Sequence, residues 1–367
     1  MENLFDLTPE EINDFKDRNR EEENDAVEAV IPPPDIVAFT EQRSCADIFR
    51  MYEKNQLDIN PDFQRGEVWT NRSQTLFIDS LMKQLPIPSM CISLDIKTQK
   101  RLVIDGLQRI TSIVKFLDET NDWKLANTSD ADDRISGKKV SEIRTTHSDI
   151  YDRIENVTIP ITVIRCDYEN QNHMQYLFQI FYRLNTGGNK LYNQEIRNCI
   201  YQGPFNNLLK ELARDSQWLK FANVTTEKVD KSRFMNEEKI LRFFAFYDTY
   251  TTYKGKLASF LNDYMGKCAR MPEKSIEEYK SLFLSTLEIA NKIQEKPDSK
   301  NVVDAILVGI AKNKDKLLTK TDDEINTIFK RIKVLPEFSS DELKEGLGAT
   351  EKVRNRIEKS IKVFSCD

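Results

Sequence analysis

Apolar positions along the chain follow two periods, and the shift from one to the other divides it. Phe77, Leu81 and Leu85 recur at helical spacing, Pro86-Ile87-Pro88 interrupts them, and Met90-Cys91-Ile92-Ser93-Leu94 then reads as a strand. Arg101-Leu102-Val103-Ile104 is a second short strand, followed by Asp105-Gly106 and then Ile110, Ile113, Val114 and Leu117 at i, i+3, i+4 and i+7. That spacing predicts a helix, so Asp105-Gly106 falls at a strand-to-helix junction. The stretch from Asn121 to Ser148 is rich in Asp, Ser and Thr, which predicts a long excursion with at most short elements, outside the core. Ile159, Ile161 and Val163 alternate within Val157 to Cys166 as on a half-buried strand, and Pro160 predicts an edge position for it. Met174, Leu177, Phe178, Phe181 and Leu184 line one helical face, which Asn185-Thr186-Gly187-Gly188 ends before a further helical stretch from Asn193 to Tyr201.

From Pro204 onward only the helical period persists. Ile240, Phe243, Phe244 and Tyr247 form one stripe, Leu257, Phe260, Leu261, Tyr264 and Met265 another, and Val303, Ile306, Leu307 and Ile310 a third. Such stripes are core before they are ligand contacts. The expectation is an α+β protein: a mixed α/β domain over 35–203, then an all-helical region over 204–367, with no internal repeat. Residues 1–34 carry Glu21-Glu22-Glu23-Asn24-Asp25 and end at Ile31-Pro32-Pro33-Pro34, which reads as an acidic, loosely docked arm.

Composition narrows the function classes. With 367 residues, 39% of the hydrophobic set and 31% charged, the chain can build a full core without staples. No apolar run approaches the roughly 20 residues of a membrane span, and Met1 to Arg20 lacks the pattern of a signal peptide, so a cytoplasmic protein without membrane contact is expected. The six cysteines stand singly with no C-x-x-C pair, which suits reduced thiols. Two histidines, His147 and His173, make a His-rich metal site improbable, and neither zinc nor haem is expected. A formal net charge of -6 argues against a surface that coats nucleic acid as a whole, while leaving a local basic groove open.

Three short clusters have the residue types that handle phosphate. Asp105-Gly106 precedes a helix whose first free N–H groups can meet phosphate oxygens; Gly106 allows close backbone approach, Arg109 adds a charged donor, Gln108 can bind a phosphate oxygen or orient a water, and Asp105 suits Mg²⁺ or a water. The simpler account of an isolated Asp-Gly is that Asp105 caps the helix, worth about 1 kcal/mol, with Gly106 serving the turn. In Asn60-Pro61-Asp62-Phe63-Gln64-Arg65-Gly66-Glu67-Val68-Trp69, Arg65 is either a second phosphate ligand beside Gln64 or a surface arginine lying over Trp69. Asn185, Thr186, Gly187 and Gly188 make either a backbone cradle or a plain helix stop.

Taken together, the clusters resemble the domain of unknown function 262 family. The segments are Pro61 to Arg65 with Trp69, Val103 to Thr111, and Phe181 to Gly188 with Gln194-Glu195-Ile196-Arg197, and the resemblance runs from about Ile36 to Tyr201. That family includes the N-terminal part of the GmrSD restriction endonucleases and is related to the ParB/sulfiredoxin-like fold. The resemblance implies a site of the D-G-Q-Q-R type that binds and hydrolyses nucleoside triphosphates with Mg²⁺. Asp105, Gly106, Gln108 and Arg109 match that pattern, whereas Leu107 stands where its first glutamine would be. The family often adds a C-terminal His-Asn-His nuclease; the region after residue 203 contains no histidine, so that nuclease is not expected. The function implied by the resemblance is that of an NTP-hydrolysing sensor or regulatory subunit of a restriction or phage-defence system. The alternative is a non-catalytic, nucleotide-gated module that binds DNA or a separate nuclease, with oligomerisation left open. Unaided cutting of nucleic acid is least supported, since no complete hydrolytic constellation can be named.

Overall fold

A computed structural model describes residues 31–59, 69–185, 191–295, 302–339 and 349–366. The described residues divide into two compact units, one over 31–191 and a helical one over 192–366. This division precedes the 203/204 boundary expected from periodicity. The α+β reading is borne out, with every described strand in the first unit.

That unit is a five-stranded sheet in the order β1-β5-β3-β4-β2, formed by β1 (Val37–Ser44), β2 (Leu57–Asp58), β3 (Met90–Asp95), β4 (Arg101–Asp105) and β5 (Thr158–Cys166). β1 runs antiparallel to β5, β5 parallel to β3, β3 antiparallel to β4, and β4 parallel to β2. Helices α1 (Cys45–Glu53), α2 (Asn71–Met82), α3 (Leu107–Leu117), α4 (Val140–Thr146) and α5 (Ser148–Asn156) precede β5, and α6 (Gln171–Leu184) follows it. The predicted strands and helices appear in their places. Ser44, Thr70 and Asn170 cap α1, α2 and α6 by accepting from backbone N–H groups, so each start is written in one residue. Periodicity does not mark β1, because its residues are mostly exposed on both faces.

Two expectations are corrected. β5 is not an edge strand, since β1 and β3 flank it. Its pairing to β3 begins at Ile161, so at Pro160 the chain has a strand neighbour only on the β1 side, and the missing N–H removes no rung from β3. The excursion after Asn121 is part of the core: Trp123, Leu125, Ile135 and Ile143 are buried. It is fastened to α2 by Trp123 Nε1–H donating to Asn71 at 2.8 Å, Ala126 N–H to Thr75 at 2.8 Å, and Asp132 N–H to Asp79 at 2.9 Å. Its polar residues look like surface in sequence, yet many satisfy backbone groups locally, as Asp, Ser and Thr do in turns.

The helical unit begins with α7 (Asn193–Ile200) and continues through α8 (Pro204–Leu212), α9 (Ser216–Ala222), α10 (Thr226–Lys231), α11 (Met235–Thr249), α12 (Leu257–Cys268), α13 (Glu273–Ala290), α14 (Val303–Lys312), α15 (Lys314–Leu317), α16 (Asp322–Lys333) and α17 (Thr350–Phe364). α14 is buried along Ala305 to Ala311 and packs extensively on α17. Gly309 permits that approach: a Cβ there would stand 2.2 Å from Ser360 Oγ. Phe205, Phe243, Phe244 and Phe283, all fully buried, fill the aromatic centre beside Trp218. Among the described residues no helix is long and apolar enough to cross a membrane.

Candidate functional site

The sheet register places four residues in one row: Thr40 opposite Thr162, Thr162 opposite Cys91, and Cys91 opposite Asp105. Asp105 therefore ends β4 at the same sheet end where β3 begins. Alternation along the strands turns Ala38, Thr162, Ile164, Cys91 and Asp105 toward a common cavity, which α6 closes with Tyr176, Ile180 and Leu184 at i, i+4 and i+8. Its volume is about 370 Å³, within the range of small-molecule sites. Met90, Cys91 and Ile164 are buried at its floor, while Ser89 and Thr162, with their hydroxyl oxygens 3.2 Å apart, supply its neutral polar groups.

Gly106 joins this cavity to α3. Its φ of 92° is left-handed, and it, not Asp105, is the N-cap of α3, with no side chain capping the helix. A Cβ at 106 would meet Met90 Cγ at 2.6 Å, so the start of β3 lies directly against the helix start. The glycine is required twice, by its backbone angle and by this approach.

Asp105 is free of capping duty and forms instead an ion pair with Arg109, one turn on, at 2.9 Å. Arg109 is 15% exposed and Asp105 44%, so the carboxylate is the more accessible partner. The same guanidinium donates to the Pro88 carbonyl, tying α3 to the segment that enters β3. Gln108 Oε1 accepts from Trp69 N–H at 3.2 Å, which brings the chain at the end of the Gln-Arg cluster beside the Asp-Gly turn. Leu107 is buried at 8% exposure, so the side chain that departs from the family pattern serves packing.

The other two clusters are seen in part. Gln64 and Arg65 lie outside the described residues, as do Thr186, Gly187 and Gly188. Asn185 is the C-cap of α6, with its amide donating to the Phe181 carbonyl at 2.7 Å. Leu184, one residue earlier, lines the cavity, so α6 ends beside it.

Gln194-Glu195-Ile196-Arg197 has a different fate, since all four residues are buried within α7. Arg197 donates to Gln194 at 3.1 Å and to Asn262 at 2.8 Å, and Arg233 grips Glu195 at 2.9 and 2.6 Å. Burial pushes the Glu195 carboxyl up despite Arg233. This part of the family pattern builds the helical unit. Cys91 is also chemically quiet: burial, and then the Asp105 charge, push its thiol up to about 12, leaving it protonated at neutral pH.

Residues 45–202 match the family described as GmrSD restriction endonuclease, N-terminal domain. This stretch, less than half of the chain, is similar to that domain. The matched stretch spans α1 to α7 and holds the Asp105 to Arg109 turn, while β1, which supplies Ala38 to the cavity, precedes it. Comparison with curated proteins and with solved structures gave no match. Sequence reading missed most cavity residues; the signal for Tyr176 and Ile180 was their helical spacing with Leu184, which the apolar stripe assigned to the core but which is exposed beside the cavity.

Proposed function

We propose that this GmrSD-type domain binds a nucleoside triphosphate at the open sheet end and hydrolyses it, as a sensor or regulatory subunit of a restriction or phage-defence system. The observation that supports this reading is convergence. Asp105 and Leu184, from two of the clusters, line one cavity, and the Trp69 end of the third is held by Gln108 in the helix that starts one residue after Asp105.

In this reading the N–H groups of the half-buried first turn of α3 and Arg109 receive phosphate oxygens, Gly106 lets them approach, and Gln108 holds the neighbouring chain in place. Gln64, Arg65 and the Asn185-Thr186-Gly187-Gly188 stretch complete the phosphate contacts. The donor set fits a nucleotide-borne Mg²⁺ better than a resident ion. Among the described residues no group of three or more His, Cys, Asp or Glu could hold a metal, and Mg²⁺ is commonly held by one or two carboxylates together with substrate phosphates. Asp105 would hold it, and it would supply charge neutralisation on the phosphates. Nucleotide entry then exchanges the Asp105–Arg109 pair for two separate contacts, Asp105 with the cation side and Arg109 with phosphate.

That exchange also supports a second reading, a gated module without turnover. Because Arg109 holds the Pro88 carbonyl as well, drawing it toward phosphate loosens the entry to β3 and alters a surface for DNA or for a separate nuclease. Phosphate release from each NTP with Mg²⁺, measured beside equilibrium binding, separates the two. The hydrolase reading expects Asp105→Asn to lower release at least tenfold, a loss of about 1.4 kcal/mol or more. Binding without release selects the gated module, and release unchanged in both Asp105→Asn and Arg109→Ala sinks the site as drawn.

A further inference from the structure

We infer that the cavity between the sheet and α6 takes the nucleoside end of the nucleotide, base and sugar, and leaves the triphosphate outside at the start of α3. The inference rests on the nucleotide reading above and says which end enters.

Charge decides the direction. Of the described residues lining the cavity, Asp105 is the one with a formal charge at neutral pH, and it is negative. Arg109 is not among the lining residues and is turned to Asp105 and Pro88. A triphosphate carries several negative charges, and moving it into a mostly apolar cleft beside a carboxylate, with no cation in the described lining, would cost part of its hydration and meet like charge. A base and sugar carry no formal charge. They bring apolar ring surface for Ile36, Ala38, Ile164 and Ile180, an aromatic neighbour in Tyr176, and polar edges for the Ser89 and Thr162 hydroxyls, which can donate or accept.

The adjoining helix start completes the geometry. Asp105 lines the cavity and is followed directly by Gly106, the N-cap of α3, so a ligand seated beside Asp105 has its outer end near the free N–H groups of α3. α3 is an eleven-residue helix whose N-cap offers no side-chain oxygen to those groups. Asp105 stands between the two compartments, where a nucleotide-borne cation would meet it.

The test uses the full chain and calorimetry with four ligands of one series: an NTP with Mg²⁺, the same nucleotide as its monophosphate, its nucleoside, and inorganic tripolyphosphate. The nucleoside is expected to compete with the NTP, and tripolyphosphate to bind at least tenfold more weakly than the NTP. Ala38→Trp fills the cavity from an exposed position on β1, where folding should tolerate it. It is expected to abolish nucleoside competition and to weaken the NTP at least tenfold, leaving tripolyphosphate within twofold. Competition in the unaltered protein decides the same question should that variant fold poorly. Tripolyphosphate that binds as well as the NTP, with no nucleoside competition, overturns the cavity assignment and spares the nucleotide reading. An unaltered protein that binds no NTP removes both.

Discussion

The two units of this chain use their polar motifs in opposite ways. In the helical unit, Gln194, Glu195 and Arg197 are spent on one another and on Asn262 and Arg233, with burial complete and the polar groups turned inward. In the sheet unit, Asp105, Gly106 and Gln108 stand at the end of a strand, partly exposed, beside a cavity. A buried charged cluster holds structure together because breaking it strands a charge, whereas a pair with one accessible partner, such as Asp105–Arg109, can be exchanged for a ligand at lower cost. Shared membership of a motif therefore does not imply a shared role.

The sharpest way to break the contrast is Arg233→Ala, which leaves Glu195 buried without that partner. The expected loss is about 3–5 kcal/mol from the helical unit. The three tryptophans make this readable by unit, since Trp218 lies in the helical one and Trp69 and Trp123 in the other. In denaturant melts of single-tryptophan variants, the transition reported by Trp218 should move first and furthest; an unchanged midpoint would mean that Glu195 needs no arginine.

Gly309→Ala probes the same unit by packing alone. With Ser360 Oγ only 2.2 Å from the added carbon, α14 and α17 must separate, for an expected cost of about 1–3 kcal/mol. Because Phe364 Cδ2 and the Ser360 backbone carbon would also lie 2.9 Å away, pairing it with Ser360→Gly should recover only part of the loss, and no recovery at all would show that the hydroxyl is not the obstacle.

The smallest effect belongs to the surface of the sheet unit. Asp122 accepts from Ser141 N–H at 3.1 Å and from Lys139 at 3.0 Å, and these contacts, the backbone one foremost, hold its carboxyl at about 2, below the ordinary 3.8. A lowered folded-state value stabilises above the unfolded value and is lost as pH falls through the folded one. Protection of the Ser141 amide from hydrogen exchange should thus decline between about pH 4 and pH 2, and Asp122→Asn should remove that pH dependence. A decline centred near pH 6 would point to a different group.

Much of the fold was legible because burial leaves a period. β3, β4, β5, α3 and α6 each show it, and the stripes of the helical half did not need tertiary information. β1 was not legible, since a strand exposed on both faces has no alternation to display. The polar stretch after Asn121 was misjudged for the converse reason, that its Asp and Thr residues satisfy backbone groups inside the fold. At the site, the chemistry of Asp105, Gly106, Gln108 and Arg109 could be read from residue types, but their neighbours could not.

By itself, then, the sequence determined the α+β division, the strand-to-helix turn at Asp105-Gly106 and the need for glycine there, because propensity and periodicity are local. Only the tertiary structure decided that Gly106 caps α3, that Arg109 holds Asp105 and Pro88, that Leu107 is core, and that Ala38, Thr162 and Tyr176 share a cavity with Asp105. Those facts depend on strand register and on which helix covers which face, and residues far apart in the chain set both.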